Sequence, residues 1–256
     1  MSMSKWAMKH AVLSMSSKNK LFTDGADQGL LIAFEGPDGS GKTTQRKLFK
    51  SWLQDMDAEV VVTKWNSSPL FKPLIKSAKA ARLLAPPSYA LLHAADFWHR
   101  YETIIEPALI EGKHVLADRY IFTGIARDAA RGMHRDWCMR LYAGVRKPDI
   151  VFYFKAPPEI CAMRIASSRD IKFYEAGQDV TGLDDAYESY LQFTSRVISE
   201  YERLHQQFDF VIVDAQKPMY QQHRFIRETY LKRFGSIPQE PVYQPELHAV
   251  LSEVDV

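Results

Sequence analysis

From Leu30 onward, short apolar runs alternate with stretches in which apolar residues recur every three or four positions. Leu30–Phe34, Val60–Val62, His114–Asp118, Ile150–Phe154 and Phe210–Asp214 form the runs. A strand covered on both faces of a parallel sheet reads this way. Helical spacing fills the intervals. Leu48, Phe49, Trp52, Leu53 and Met56 mark the first helix. Two more are predicted over about 69–84 and 87–111, the second bent at Pro107, where a backbone donor is missing. Pro157 and Pro158 suit the start of a helix running through Ile160, Met163, Arg164 and Ile165. Tyr187, Tyr190, Leu191, Thr194, Ile198 and Tyr201 stripe a long helix over about 184–207, and a last helix covers about 219–234. This alternation predicts an α/β domain: a doubly wound, mostly parallel five-stranded sheet with helices on both faces.

Composition adds boundaries to that picture. The 256 residues carry 33 basic and 31 acidic side chains, a net charge of only +2, which is no footprint for a nucleic-acid polymer. No apolar run is long enough to predict a membrane span. Cys138 and Cys161 are too few and too isolated for a disulfide scaffold or a zinc site, which predicts a cytoplasmic setting. Residues 1–29 hold Lys5, Lys9, Lys18 and Lys20 with no acid before Asp24, and are expected to be an extension rather than a signal peptide. Residues 235–256, with Pro238, Pro241 and Pro245 among acids, are expected to form an exposed tail. The folded unit is therefore expected over 30–234.

The candidate chemistry follows the first strand. Gly36-Pro-Asp-Gly-Ser-Gly41-Lys42-Thr43 matches G-x-x-x-x-G-K-[ST], with a buried run before it and a helix after it. Glycines at Gly36, Gly39 and Gly41 let the backbone wrap a polyphosphate, its N–H groups turned inward beside Ser40 and Thr44. Lys42 reaches the β- and γ-phosphates of ATP, and the Thr43 hydroxyl is a ligand for Mg²⁺. Asp118 ends the third run, where an open α/β sheet binds its ligands, and is the second candidate for Mg²⁺. Asp38 and Arg119 project at the same end.

In order along the chain, Phe34 to Gln45, Glu106–Gly112, Ala117-Asp-Arg-Tyr120, Pro148-Asp149, Pro157-Pro-Glu159, Tyr201-Glu-Arg-Leu204 and Asp214 resemble the thymidylate kinases, P-loop nucleoside monophosphate kinases. The resemblance spans about 30–234. It implies transfer of the γ-phosphoryl of ATP to a deoxynucleoside monophosphate, dTMP first among them, with Mg²⁺, in a homodimer. It also implies site roles. Asp38 would lie near both phosphates, and Arg119 would bind the acceptor phosphate. Lys64 stands where the family usually has an arginine for that phosphate. Gly39, in place of an arginine after the P-loop acid, implies a catalytic arginine from a lid at about 167–183, with Arg169 the candidate. Arg164 would pack beside adenine.

This chain departs from the family in the stretch Leu91-Leu92-His93-Ala94-Ala95-Asp96-Phe97. His93 stands where an aromatic stacks on thymine, Phe97 where an arginine contacts the base, and Arg127 where another aromatic often lies. Three readings stay open on these residues: a dTMP kinase, the same chemistry on another acceptor, and a non-catalytic nucleotide-binding module.

Overall fold

The computed structural model describes residues 22–23 and 29–235; the expected N-terminal extension and C-terminal tail fall almost wholly outside them. The predicted sheet is present. Strands β1 (Leu31–Glu35), β2 (Val60–Lys64), β3 (His114–Asp118), β4 (Ile150–Lys155) and β5 (Val211–Asp214) are all parallel, in the order β2-β3-β1-β4-β5. A separate pairing joins Phe22–Thr23 to Val145–Arg146.

Side-chain alternation along the strands builds two cores. Leu31, Ala33, Val115, Ala117, Val151 and Tyr153 face one side. Ile32, Phe34, Leu116, Phe152, Phe154 and Val213 face the other. Eleven α-helices lie among the described residues. Those on the second face include α1 (Lys42–Gln54), whose Phe49 and Trp52 pack there. After α2 (Lys72–Ala80) and α3 (Pro86–Arg100), the chain takes a π-helical turn over Tyr101–Ile105 and continues as α4 (Glu106–Ile110). The bend expected at Pro107 is thus met by widening the turn before it, which re-routes the hydrogen bonds around the missing donor.

Between β3 and β4 lie α5 (Ile121–Ala130) and α6 (Arg135–Arg140), for which periodicity predicted nothing. Buried nearly all round from Ile121 to Ala126, α5 has no polar face to betray it. Helix α7 (Pro158–Ala166) starts at Pro158 as predicted. In the segment expected to be a lid stand two single turns, α8 (Phe173–Ala176) and α9 (Gln178–Thr181). Helix α10 (Ala186–Phe208) opens at Asp185, which accepts from the Glu188 N–H, and α11 (Met219–Phe234) closes the domain. No helix among the described residues is long and apolar enough to cross a membrane.

Candidate active site

The glycine-rich turn sits at the carboxyl end of the central strand β1, between the ends of β3 and β4. Gly39 holds φ +78°, and a Cβ there would lie 2.4 Å from the Cys161 carbonyl oxygen. Only glycine permits that turn against the first turn of α7. Lys42 folds over the loop, its Nζ donating to the Pro37 carbonyl (2.5 Å) and Ser40 Oγ (3.3 Å). Burial pushes this ammonium down to about 8, with Arg119 adding repulsion against the pull of Asp38 and Asp118. Thr43 Oγ1 donates to Asp118 Oδ2 at 2.8 Å, so the two candidate metal ligands meet although 75 positions apart. Arg46 Nε lies 3.8 Å from the same carboxylate.

Asp38 is the hub. Its Oδ1 accepts from Arg119 Nη2 (2.6 Å) and its Oδ2 from Arg127 Nη1 (2.8 Å). Burial alone would favour the neutral acid, but the two guanidiniums and Lys42 hold Asp38 far below the usual carboxylate range. The reciprocal field raises Arg119 against its own desolvation. Arg119 takes φ +74°, a left-handed conformation costly for a side chain of this kind, and reaches Gly36 O (2.8 Å) and Thr123 Oγ1 (2.9 Å).

Beneath it lies Glu35, wholly buried. It accepts from the Tyr120 N–H, from Thr123 Oγ1 at 2.6 Å and from the Tyr201 hydroxyl at 2.8 Å. Burial nevertheless raises its carboxyl above the ordinary value. Glu35 and Thr123 passed unnoticed in the sequence. The signals were the acid that ends a buried strand and a hydroxyl in the first turn of the helix that follows Arg119.

Two cavities flank this loop. One, of about 410 Å³, is lined by Ser40, Gly41, Thr44, Arg164, Lys217 and Met219, and Arg164 is fixed there by the Ala215 carbonyl (2.9 Å). The other, of about 660 Å³, includes Asp38, Arg119, Arg127, Arg169, Trp65, Tyr89 and Tyr174 in its walls. Arg169 is clamped by Glu175, both contacts 2.7 Å.

Three expected acceptor residues stand elsewhere. Lys64 is exposed beside Asp118, and the next two residues, Trp65 and Asn66, line the cavity instead. His93 is 1% exposed, stacked 4.0 Å from Tyr89 and 6.4 Å from Trp65. Its Nδ1 contacts the Tyr89 carbonyl, and burial, reinforced by Lys79, holds it well below its ordinary pKa. Phe97 is wholly buried against Tyr101, Tyr120 and Tyr142, with Trp65 between it and the cavity. His93 and Phe97, expected to touch the base, stand behind the cavity wall here, both packed into protein. Asp96 and Arg100 are likewise sealed, joined at 2.8 Å.

The sequence profile of thymidylate kinase matches residues 34–226. The chain belongs to the thymidylate kinase family. A probable thymidylate kinase 2 from Saccharolobus solfataricus is 41% identical over 194 residues, 75% of this chain and 91% of the relative. A probable thymidylate kinase from Thermococcus gammatolerans is 31% identical, covering 77% and 94%. The thymidylate kinase of Plasmodium falciparum is 32% identical, covering 67% and 80%. In this chain the fold sets a strand, the phosphate loop and a helix in line.

Proposed function

We propose that the protein transfers the γ-phosphoryl group of ATP to dTMP, giving ADP and dTDP. The observation that carries this reading is the pair of cavities meeting at the phosphate loop. Ser40, Gly41 and Thr44 line one, and Asp38 lines the other. A donor nucleotide in the smaller cavity, its base beside Arg164, directs its terminal phosphate past Lys42 toward Asp38. The acceptor occupies the larger cavity with its phosphate on Arg119 and Arg127. Asp38, already paired with both guanidiniums, keeps them charged and aimed while the acceptor phosphate replaces part of that contact. Positioning and charge neutralisation are the main demands of phosphoryl transfer, so no nucleophilic side chain is required.

Thr43 and Asp118 suit Mg²⁺: a hydroxyl and one carboxylate supply hard oxygen donors and leave room for phosphate oxygens and water. Bound there, the ion would offset the negative charge of the donor phosphates. Arg169 is assigned to the transferring phosphoryl; Glu175 occupies its fork, and lid closure exchanges that carboxylate for phosphate. Residues 30–234 form the catalytic unit in this reading, with 167–183 its lid. The protein is taken to act as a cytoplasmic homodimer; sedimentation of the purified chain tests the pairing.

The deciding experiment follows ADP release with Mg-ATP against a panel of nucleoside monophosphates. Turnover selective for dTMP supports the proposal. Turnover with a different acceptor keeps the chemistry and replaces the substrate, and ATP hydrolysis indifferent to every acceptor overturns the kinase reading.

A further inference from the structure

The wall of the acceptor cavity is more basic than one acceptor phosphate requires. Among its lining residues are seven cations and two carboxylates, five positive charges in excess, in a chain whose net charge is only +2. The rest of the chain is therefore net acidic, and the positive field is concentrated at this opening. Three of the cations are engaged with acids: Arg119 and Arg127 share Asp38, and Arg169 is forked by Glu175. The side chains of the other four, Lys76, Lys79, Arg82 and Lys172, have no acidic partner among the described residues. Lys76, Arg82 and Lys172 are exposed and Lys79 half-buried, whereas the side chains of Arg119 and Arg127 are only 11% exposed. The four thus stand at the outer end of the cavity.

Two of them are held in place without being neutralised. The Lys79 ammonium lies 4.9 Å over the Tyr89 ring, and the Arg82 guanidinium 4.4 Å over the Phe173 ring. An aromatic face attracts a cation and leaves its charge intact. Lys76 and Lys79 stand one turn apart on α2, on its face toward the cavity. Arg82, just past that helix, takes φ +53°, a left-handed backbone that is costly for an arginine. The Tyr174 hydroxyl fixes the same turn, accepting from the Leu84 N–H at 2.9 Å. Lys172 caps the lid turn α8 on the other side of the opening. Four like charges around one opening repel each other, a cost that a bound anion offsets. A nucleotide phosphate brings close to two negative charges.

We propose that Lys76, Lys79, Arg82 and Lys172 form an outer anion site, which captures the phosphate of the incoming nucleoside monophosphate before it passes to Arg119 and Arg127. The inference rests on the phosphoryl-transfer reading of the cavity. The site reads the phosphate and not the base.

The test follows association of dTMP by stopped-flow tryptophan fluorescence, with Trp65 in the cavity wall as reporter, alongside steady-state kcat/KM. Raising NaCl from about 20 to about 200 mM should slow wild-type association roughly tenfold, as for a steered encounter. The full-length variant with Lys76→Gln, Lys79→Gln, Arg82→Gln and Lys172→Gln should associate about tenfold more slowly at low salt and respond to salt less than about twofold. Its loss should appear in kcat/KM for dTMP and not in kcat. A second variant removes the same charge outside the cavity wall, through Arg140→Gln, Arg196→Gln, Arg203→Gln and Lys232→Gln, and should keep most of the wild-type rate. A first variant with the wild-type salt response overturns the proposal. So does a second variant that is slowed equally, since net charge alone would then suffice, and so does a loss confined to kcat. If the fourfold variant does not fold, the three lysine substitutions alone, which leave Arg82 on Phe173, decide by the same salt response. A wild type inert toward dTMP but active on another nucleoside monophosphate removes the dTMP assignment only, and that nucleotide then serves as the probe. A protein that binds no nucleoside monophosphate overturns the kinase reading and this inference with it.

Discussion

Replacing Asp128 by asparagine should remove a pH dependence of stability. Burial raises this carboxyl from 3.8 to about 7, despite Arg131, Arg127 and Lys79. A folded-state pKa above the unfolded one means that the native protein holds the proton more tightly. Wild-type stability therefore falls as pH rises from about 4 to about 7. At about 1.4 kcal/mol per unit, the whole span comes to about 4 kcal/mol. Asparagine does not titrate, so the variant gains on the wild type by that amount across the window and by nothing further above it. Urea denaturation of both proteins at pH 5, 6, 7 and 8 measures the difference directly. His93 and His223, whose buried rings are held below their ordinary pKa, contribute alike to both proteins and cancel. A difference that stays flat within about 1 kcal/mol from pH 5 to 8 refutes the reasoning, because the carboxyl would then be paired in the folded protein.

Lys42→Ala should abolish transfer in the coupled ADP-release assay. With Lys42 intact and its ammonium at about 8, the Kd for Mg-ATP should rise about tenfold between pH 7 and pH 9 as the cation is lost, and Lys42→Ala should flatten that profile. Arg169→Ala should lower kcat by two orders of magnitude or so while the KM for ATP barely moves, if the arginine acts only in the closed lid. Glu175→Gln, which weakens the ion pair on the same fork, should leave affinity for ATP in calorimetry unchanged and act on kcat, since that pair must break for the lid to close. Gly124→Ala drives a methyl into the Tyr142 hydroxyl in a packed interior, and should cost about 1–3 kcal/mol in a urea titration along with a raised KM for the acceptor.

Several of these residues were visible in the sequence for local reasons. The phosphate loop is contiguous: its glycines, Lys42 and Thr43 lie within eight positions, and their roles follow from backbone freedom and reach alone. The strands announced themselves because burial on both faces leaves unbroken apolar runs, and the end of such a run in a parallel sheet is where ligands gather. Asp38, Asp118 and Arg119 were found by that rule, and the structure joins them within hydrogen-bonding reach of their partners. Helix α5 was invisible for the opposite reason: it is buried on most sides and has no periodic polar face.

What the sequence left undecided was every contact made across the sheet. His93, Phe97 and Arg127 occupy similar stations along their helices, yet the fold turns the first two into the protein and the third into the cavity. The direction of a side chain depends on how its helix is rotated against its neighbours, and that rotation is set by packing distant in the chain. Trp65, Tyr89 and Thr123 are drawn from three separate segments, and none carries a motif of its own. Local chemistry thus wrote the phosphate-binding half of the site into a few adjacent residues, while the acceptor half exists only once close packing has brought those segments together and chosen which polar groups go without partners.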